Sequence, residues 1–418
     1  MRPLPTHKTH GEIPATPANR RRGLTGLVWA WLLTLACSHR GANPAPPPPP
    51  TLSPPAIAAL VDVARESARV PDREAWGQAV HDALAANQIP STALPACAVL
   101  AVIAQESGFQ ADPVVPGLAK VVATRIDNLQ AKLGPLGRPI FERVLAGRSP
   151  GNPRTFEQRL QTVRTERDLD LVFRDMLAFY EGNYPATFEA LTMAGKLFDL
   201  GDIHALNPIT TAGPMQVSVR FAETVARQRH ADLTRVRDEL YTRAGGVYYG
   251  TAALFAGAPS YPRYLFRFAD YNAGPFASRN AAVQEQLTQL TGRRLTLDGD
   301  LLAYGKDGDP TDDVTQSMAA LRAFRDTHAP HLSDRRLRKD ALLEKTLALE
   351  GTETYRAIKS TYLAKLKRPP AYARLPDVVL DSPKLTRKLS TAWFARAVDR
   401  RFAKCLAAAG ARETIATE

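Results

Sequence analysis

Cysteine and histidine are scarce in this sequence of 418 residues. There are three cysteines, Cys37, Cys97 and Cys405, and eight histidines. No CxxC pair and no histidine spacing typical of metal ligands is present, so the pattern excludes a zinc module and predicts no metal site. Three cysteines are also too few for a disulfide scaffold.

Nucleic-acid-binding modules are missing as well. The sequence has no C2H2 spacing, no RNP-like aromatic signature and no heptad array behind a basic region, and we therefore predict no nucleic-acid partner. The net charge is nevertheless +12. Two explanations stay open: an ordinary solvated surface, or an acidic partner such as anionic lipid or a cell-wall polymer. The composition, 44% hydrophobic and 23% charged, is that of a globular protein.

A short apolar run lies near the N-terminus. Three arginines at residues 20–22 precede an apolar stretch at 23–36, and Cys37 follows. A membrane span needs about 20 residues, whereas a basic region before a shorter apolar run is typical of a signal peptide. Residues 33–37 resemble a bacterial lipobox, with Thr34 where leucine is usual. The resemblance implies lipidation of Cys37, and an ordinary cleaved signal peptide is the alternative.

The bacterial cell envelope is the predicted location. Residues 1–36 form the predicted lipoprotein-type signal peptide, and their removal lowers the net charge from +12 to +8, because five basic residues and one acidic residue are lost. Residues 37–55 are rich in proline, which predicts a semi-rigid spacer of about 3.1 Å per residue. Serine follows Cys37, and resemblance to Gram-negative lipoproteins then implies an outer-membrane lipoprotein that faces the periplasm.

The body of the chain has the hydrophobic period of helices. From Ile57 onward apolar residues recur every three to four positions, which predicts a mainly α fold. Residues 95–106 are apolar nearly all round and predict a buried helix. Glycines and prolines at 134–153 predict a loop, and residues 293–303 are a candidate short hairpin. A helix at 383–409 has an apolar stripe and a basic face, for which we leave open docking on the core or contact with anionic lipid or cell wall.

Glu106 ends the predicted buried helix, within the motif Gln-Glu-Ser-Gly-Phe at 105–109. Burial at the end of a strongly apolar helix disfavours the charged carboxylate and raises its pKa, which suits a general acid near neutral pH. For a lone glutamate, a helix cap or a surface residue is the alternative.

Two further motifs follow in the chain. Residues 211–218 read Thr-Ala-Gly-Pro-Met-Gln-Val-Ser, which places Met215 and Gln216 beside a glycine that permits close backbone approach. Residues 269–275 read Ala-Asp-Tyr-Asn-Ala-Gly-Pro. In this motif the Tyr271 hydroxyl can bond a carboxyl group, and the Asn272 amide can pair with an N-acetyl group.

In this order, Glu-Ser-Gly-Phe, Gly-x-Met-Gln and Tyr-Asn-Ala-Gly resemble the motifs of the soluble lytic transglycosylase family, which has a goose-type-lysozyme-like fold. Residues 245–254 also resemble the family's helix before Tyr-Asn. The resemblance covers residues 95–116 and 207–290, about a quarter of the chain. It implies a peptidoglycan-cleaving enzyme that acts between N-acetylmuramic acid and N-acetylglucosamine, forms a 1,6-anhydro product and needs no metal or organic cofactor.

The resemblance also implies a role for each motif residue. Glu106 is the catalytic acid, and its carboxylate then acts as base on the muramoyl 6-hydroxyl. The other residues are assigned to the substrate groove: Ser107 supports Glu106, Met215 and Gln216 line the groove, Tyr271 orients Glu106, and Asn272 holds an N-acetyl or peptide group. For Met215 a place in the core is the alternative.

The sequence departs from that family in one large respect. Glu106 and Gly213 are 107 residues apart, much further than in the family, which predicts an inserted helical subdomain at about 117–206. Pro214 also stands where the family usually has leucine. We therefore predict a lysozyme-like domain at 56–299 that contains the insertion, and a helical C-terminal extension at 300–418.

Two other functions stay open. One is a lysozyme-like peptidoglycan hydrolase, for which Asp270 is a candidate second carboxylate, although a capping or solvated role is the alternative for this residue. The other is a non-catalytic lipoprotein that binds the cell wall or serves envelope assembly. Export also leaves open whether Cys97 and Cys405 form a disulfide.

Overall fold

The computed structural model describes residues 49–66, 69–186, 188–189, 207–305, 308–380, 389–411 and 413. The predicted mainly helical fold is confirmed, because helices dominate these ranges and the strands in them form two short antiparallel pairs. The predicted signal peptide, Cys37 and most of the predicted tether lie outside the described residues. Of the helices that the structure describes, none combines the length and the apolar character needed to cross a bilayer.

The structure describes fifteen α-helices in the ranges given above. In chain order they are α1 (Pro54–Arg65), α2 (Arg73–Ala86), α3 (Ala93–Glu106), α4 (Leu118–Leu145), α5 (Phe156–Leu160), α6 (Glu166–Asn183), α7 (Val219–Gln228), α8 (Val236–Leu240), α9 (Arg243–Leu254), α10 (Tyr264–Ala273), α11 (Ala277–Thr291), α12 (Gln316–His328), α13 (Asp334–Ala341), α14 (Glu353–Leu366) and α15 (Thr391–Ala408). Strand β1 (Thr211–Ala212) pairs with β2 (Val217–Ser218), and β3 (Val379–Leu380) pairs with β4 (Leu389–Ser390).

Helix α3 lies at the centre of the main hydrophobic cluster. Its residues 95–104 are all buried, as their apolar character predicts. The helix packs against α1, α2, α9 and α15. A disulfide joins Cys97 on α3 to Cys405 on α15, with their Cα atoms 5.6 Å apart. The helix that ends in Glu106 is therefore held on all sides and is covalently attached to the last helix.

A second hydrophobic cluster is formed by α11, α12, α13 and α14. Its completely buried polar side chains include Arg279, Asn280 and Glu344. Arg279 donates hydrogen bonds to the carbonyl oxygens of Glu344, at 2.5 Å, and of Thr346, at 2.8 Å. Buried polar groups are stable only when their hydrogen bonds are satisfied, and here they connect α11 with the segment after α13.

Residues before and after position 300, where the C-terminal extension was predicted to begin, belong to one compact unit. Helix α11 belongs to the second cluster, whereas α15 packs into the first with its residues Phe394, Val398, Phe402 and Leu406 buried. The last helix is thus docked on the core. The folded part also begins before residue 55, because proline is tolerated in the first turn of α1.

Two local predictions are also corrected. The glycine- and proline-rich stretch after residue 133 is not all loop: α4 is interrupted at Gly134, and Pro135 then begins a second helical segment that ends at Leu145. Residues 293–303 contain no strand pair. Their backbone is bonded by side chains instead, since Leu302 N–H donates to Glu344 Oε1 at 3.1 Å and Gly299 N–H donates to Gln284 Oε1 at 3.0 Å.

Candidate active site

Glu106 is the last residue of α3, where the buried helix reaches the surface. Glu106 and the preceding Gln105 are partly exposed, in contrast to the buried residues 95–104 of the same helix. The chain reverses immediately after it, because Gly108 has a φ of +57° and its N–H bonds the Ile103 carbonyl at 3.1 Å. Glycine adopts this left-handed conformation without a steric penalty. The motif after Glu106 is thus the turn that ends the helix.

The second motif forms a tight hairpin between β1 and β2, packed on α9. Gly213 has a φ of +79°, and a Cβ atom there would lie 2.0 Å from the Leu240 carbonyl oxygen. On α9, a Cβ at Gly246 would lie 2.4 Å from Pro214 Cδ, and a Cβ at Gly250 would lie 2.3 Å from Met215 Sδ. The glycines therefore allow the hairpin and α9 to pack closely, which gives a physical reason for both sequence motifs.

Gln216 connects this hairpin to α6. Its Oε1 accepts a hydrogen bond from Thr211 Oγ1 at 3.0 Å, and its Nε2 donates to Glu166 Oε2 at 2.9 Å. The same nitrogen also lies 3.4 Å from the Gly213 carbonyl oxygen. Both ends of the amide are engaged inside the protein, so the side chain fixes the relative position of β1, β2 and the start of α6.

Tyr271, on α10, completes the group around Glu106. Its hydroxyl donates to the Met215 carbonyl oxygen at 2.7 Å, which joins α10 to the hairpin. Burial and the charge of Glu106 together hold the pKa of Tyr271 well above its usual value. The hydroxyl is therefore a neutral donor near the Glu106 carboxyl. The neighbouring Asn272 accepts a hydrogen bond from Thr391 Oγ1 at 2.8 Å, so its side-chain oxygen faces α15.

The Glu106 carboxyl has the electrostatics of a general acid. Burial, and secondly the negative charge of Glu166, raise its pKa to about 8 from the ordinary 4.5. A carboxyl with this pKa carries its proton at neutral pH and can donate it to a leaving group. The expectation that desolvation at the helix end raises this pKa agrees with the structure, whereas the contribution of a second carboxylate was not expected.

The structure brings three of the predicted site residues together. Glu106 is electrostatically coupled to Tyr271, and Gln216 reaches the same place through Glu166. Asn272 lies on the same helix as Tyr271, with its oxygen bonded to α15.

Two of the predicted site residues are buried. The side chain of Met215 does not line a groove: it is completely buried against Gly250, and its backbone carbonyl is the part that contacts the site. Ser107 is also buried, and its hydroxyl bonds the Ile103 carbonyl at 3.1 Å and accepts from Gln110 N–H at 3.3 Å. It stabilises the end of α3 next to Glu106. Cys37 lies outside the described residues.

Asp270 is a structural residue. Its carboxylate accepts a hydrogen bond from Tyr261 Oη at 2.5 Å and from Ser278 N–H at 2.7 Å, which ties the end of α10 to α11. Burial raises the pKa of Asp270 to about 6. The capping alternative for this residue is thus the one that the structure supports, and Asp270 is not the second carboxylate beside Glu106.

That second carboxylate is Glu166, from the segment predicted as an insertion. It is the first residue of α6 and is only 4% exposed. The sequence carries a signal for its location but not for its role: Thr165 and Asp168 form a capping box, a pattern that marks the start of a helix. Nothing in the sequence shows that this helix start lies beside Glu106, because 60 residues separate the two glutamates.

The structure thus defines a candidate acid–base site at the end of a buried helix in a mainly helical protein. Among the residues that it describes, no three acidic, histidine or cysteine side chains are grouped as metal ligands.

Comparison with known proteins places the chain in a family. It belongs to the DUF1615 family, described as a protein of unknown function, whose family model matches residues 69–408. It is also 36% identical, over 342 residues, to "Uncharacterized protein YaiW" of Escherichia coli (strain K12), a match that covers 81% of this chain and 86% of that relative. No solved structure matches the chain. The matched family span contains Glu106, Glu166, Gln216 and Tyr271.

Proposed function

We propose that this protein is a murein lytic transglycosylase of the bacterial envelope, with Glu106 as its catalytic acid and base. The observation that carries the proposal is the surrounding of Glu106: a carboxyl with a pKa raised to about 8, at the end of a buried helix, beside Tyr271 and the hairpin of Gln216. Three short motifs that resemble lytic transglycosylases supply these residues, in the same order along the chain.

In the proposed reaction Glu106 transfers one proton in each direction. Protonated Glu106 gives its proton to the glycosidic oxygen as the bond from muramic-acid C1 to that oxygen breaks. The resulting carboxylate then removes the proton of the muramoyl 6-hydroxyl while O6 forms a bond to C1. The products are a 1,6-anhydromuramoyl end and a free N-acetylglucosamine hydroxyl, and Glu106 is protonated again. Typical glycosidases need two carboxylates for acid and nucleophile or base, but here the substrate supplies the nucleophile.

An extracytoplasmic location fits three observations. The lipobox-like sequence ends at Cys37, the segment after it is a proline-rich spacer, and the disulfide between Cys97 and Cys405 is of a kind that persists in oxidising compartments. We propose an outer-membrane lipoprotein that faces the periplasm, with peptidoglycan as its substrate. The basic excess of the chain then lies beside an acidic polymer and anionic lipid.

A peptidoglycan hydrolase is the second candidate. It is favoured by one observation, the buried carboxylate of Glu166 coupled to Glu106, because a second carboxylate is the usual requirement for attack by water. The two candidates differ in product: attack by water leaves a reducing muramic-acid end, and attack by the 6-hydroxyl leaves an anhydro end.

Digestion of purified murein by the purified protein, with mass spectrometry of the products, tests the proposal. We expect anhydro-muropeptides from the wild type and a loss of rate of about 10² to 10⁴-fold in Glu106→Gln, the usual contribution of a general acid. Glu142→Gln is the matched control, because Glu142 is an exposed glutamate with an ion pair to Arg138 at 2.8 Å on α4.

Each other outcome has a definite meaning. Reducing ends in place of anhydro ends would establish the hydrolase. Binding to sacculi without any product would establish a non-catalytic wall-binding protein, and equal product from wild type and Glu106→Gln would remove Glu106 from the mechanism.

A further inference from the structure

The inserted segment contributes a charge to the site that the three motifs do not contain. Glu166 begins α6, and the chain before it is tied to the loop after Glu106. Thr165 Oγ1 donates to Asp112 Oδ2 at 3.0 Å, and Val115 N–H donates to the Arg164 carbonyl at 2.9 Å. These bonds hold the start of α6 against the turn that follows the catalytic helix.

The carboxylate of Glu166 is also fixed in orientation. Gln216 Nε2 donates to its Oε2, and Gln216 is itself fixed through Thr211. Glu166 is the first residue of a helix, where the backbone N–H groups and the helix dipole favour a negative charge. A buried carboxylate held in this way is poorly placed to activate a water molecule, since it is only 4% exposed. Its charge acts on Glu106.

We propose that Glu166 is a positioning residue of the site: its carboxylate, fixed by Gln216 at the start of α6, lies against Glu106 and keeps the Glu106 carboxyl protonated. The inference rests on the proposed function in assigning a use to that proton. A neighbouring negative charge disfavours a second carboxylate. It therefore favours the acid form before bond cleavage, and it strengthens Glu106 as the base that takes the proton of the 6-hydroxyl.

Among the described residues, the other charged and titratable groups around the pair come from α1, α6, α8, α10 and two connecting segments. Asp170 on α6 is neutralised by Arg174, at 2.9 Å, and by Arg237 of α8, at 2.8 Å. The rest are Arg65 of α1, which donates to the Gly108 carbonyl, Asp112 of the loop after α3, Tyr241 after α8 and Tyr271 of α10. Of the charged side chains, Glu166 is the one whose charge acts on Glu106 to raise its pKa.

The direct test is the titration of Glu106 in the full-length protein without murein. Carboxyl ¹³C signals of selectively labelled glutamate are followed by NMR from pH 4 to pH 10. The signal that is missing from the spectrum of Glu106→Gln is assigned to Glu106. In Glu166→Gln we expect the apparent midpoint of Glu106 to fall by roughly one pH unit. Asp168→Asn is the matched control, because Asp168 caps the same helix. We expect the midpoint of Glu106 to stay unchanged in this variant.

A second variant keeps the test valid if Glu166→Gln does not fold. Glu166→Ala removes the charge as well, and we expect the Glu106 midpoint to fall in this variant too. An unchanged Glu106 midpoint in either folded variant would overturn the inference. Glu166→Asp, which keeps the charge, should retain the raised midpoint of Glu106.

The same variants separate this inference from the proposed function. If murein is cleaved, the alkaline limb of the pH profile should move from near pH 8 to a pH roughly one unit lower in Glu166→Gln, while activity at acid pH is kept. A merely structural defect would not produce this shift. If the midpoints shift and no murein is cleaved, the coupling stands and the proposed function fails. If murein is cleaved and the midpoints do not shift, the function stands and the role of Glu166 fails.

Discussion

Glu106 and Glu344 are two glutamates with raised pKa values in two different regions of the molecule. Burial is the main cause for both: it raises the pKa of Glu106 to about 8 and that of Glu344 to about 7. Glu344 is completely buried and accepts hydrogen bonds from Tyr304 Oη at 2.6 Å and from the backbone N–H groups of Leu301 and Leu302. Among the described residues, no group donates a hydrogen bond to the Glu106 carboxyl, and its charged neighbour is Glu166.

The difference lies in what each region does with its carboxyl. The Glu344 carboxyl has a structural role, because its oxygens accept hydrogen bonds from backbone N–H groups of the segment between α11 and α12. Glu106 is partly exposed, and its carboxyl is not occupied by hydrogen bonds from the described residues. A raised pKa alone therefore does not identify a catalytic acid. The pattern of hydrogen bonds around the carboxyl distinguishes a structural group from a chemically available one.

The largest expected effect concerns the covalent anchor of the Glu106 region. The disulfide joins residues 308 positions apart and ties α3 to α15, and the second cluster contains no cysteine. Replacing Cys97 and Cys405 by alanine should lower the free energy of unfolding by about 2 to 4 kcal/mol. Urea unfolding in a buffer that contains neither an oxidant nor a reductant measures this loss.

Reduction of the wild type provides the control for those cysteine variants. It should lower the free energy of unfolding by a similar amount and leave the double alanine variant unchanged. Equal stability of wild type and double variant would show that the bond does not anchor α3.

The second prediction is that the two glutamates contribute differently to the free energy of unfolding. Glu344→Gln should lower the free energy of unfolding by about 1 to 3 kcal/mol, because the amide group presents N–H to backbone N–H donors that then lack an acceptor. Glu106→Gln should change it by less than about 0.5 kcal/mol, as for other partly exposed sites without buried partners. Urea unfolding at pH 4, where the carboxyls of both glutamates are protonated in the folded and largely protonated in the unfolded protein, compares both variants with the wild type. A larger loss of unfolding free energy in Glu106→Gln than in Glu344→Gln would contradict the structural role assigned to Glu344 alone.

The smallest effect is a difference in pH dependence. Both folded-state pKa values lie above the ordinary 4.5, so the folded protein binds more protons and its free energy of unfolding falls as pH rises. The loss for Glu344 extends from about pH 4.5 to 7, and that for Glu106 to about 8, each with a slope of at most about 1.4 kcal/mol per pH unit. Glu106→Gln should therefore flatten the curve between pH 7 and 8.

Comparison of thermal or urea unfolding at several pH values checks this. Glu344→Gln should keep the slope above pH 7, and Asp270, whose pKa is about 6, contributes to the slope at lower pH in every variant. If Glu106→Gln retained the full slope between pH 7 and 8, the raised pKa of Glu106 would be contradicted.

Much of the helical content was predictable because it depends on local patterns. The apolar run of α3 and the capping box at the start of α6 are both visible in the sequence. The failures occurred where packing overrides the local signal. Residues 293–303 have turn-flanked apolar positions that suit a hairpin, but buried side chains of other segments bond their backbone instead.

For the candidate site, the sequence pointed to Glu106, Gln216 and Tyr271 through short motifs with their own glycines. It did not separate the buried side chain of Met215 from the groove, because a methionine beside a glycine suits either place. It also missed Glu166, because a helix-starting glutamate has no local feature that distinguishes a solvated residue from one beside another carboxyl.

The amino-acid sequence by itself determined a mainly helical body, a buried helix that ends in a glutamate, and the glycines that allow the hairpin to approach α9, since these depend on apolar period and on the size of single side chains. Only the tertiary structure decided that Cys97 meets Cys405, that the last helix belongs to the core, and that Glu166 lies beside Glu106. Those outcomes depend on contacts between residues 60 to 308 positions apart, and no local pattern carries information about such distances.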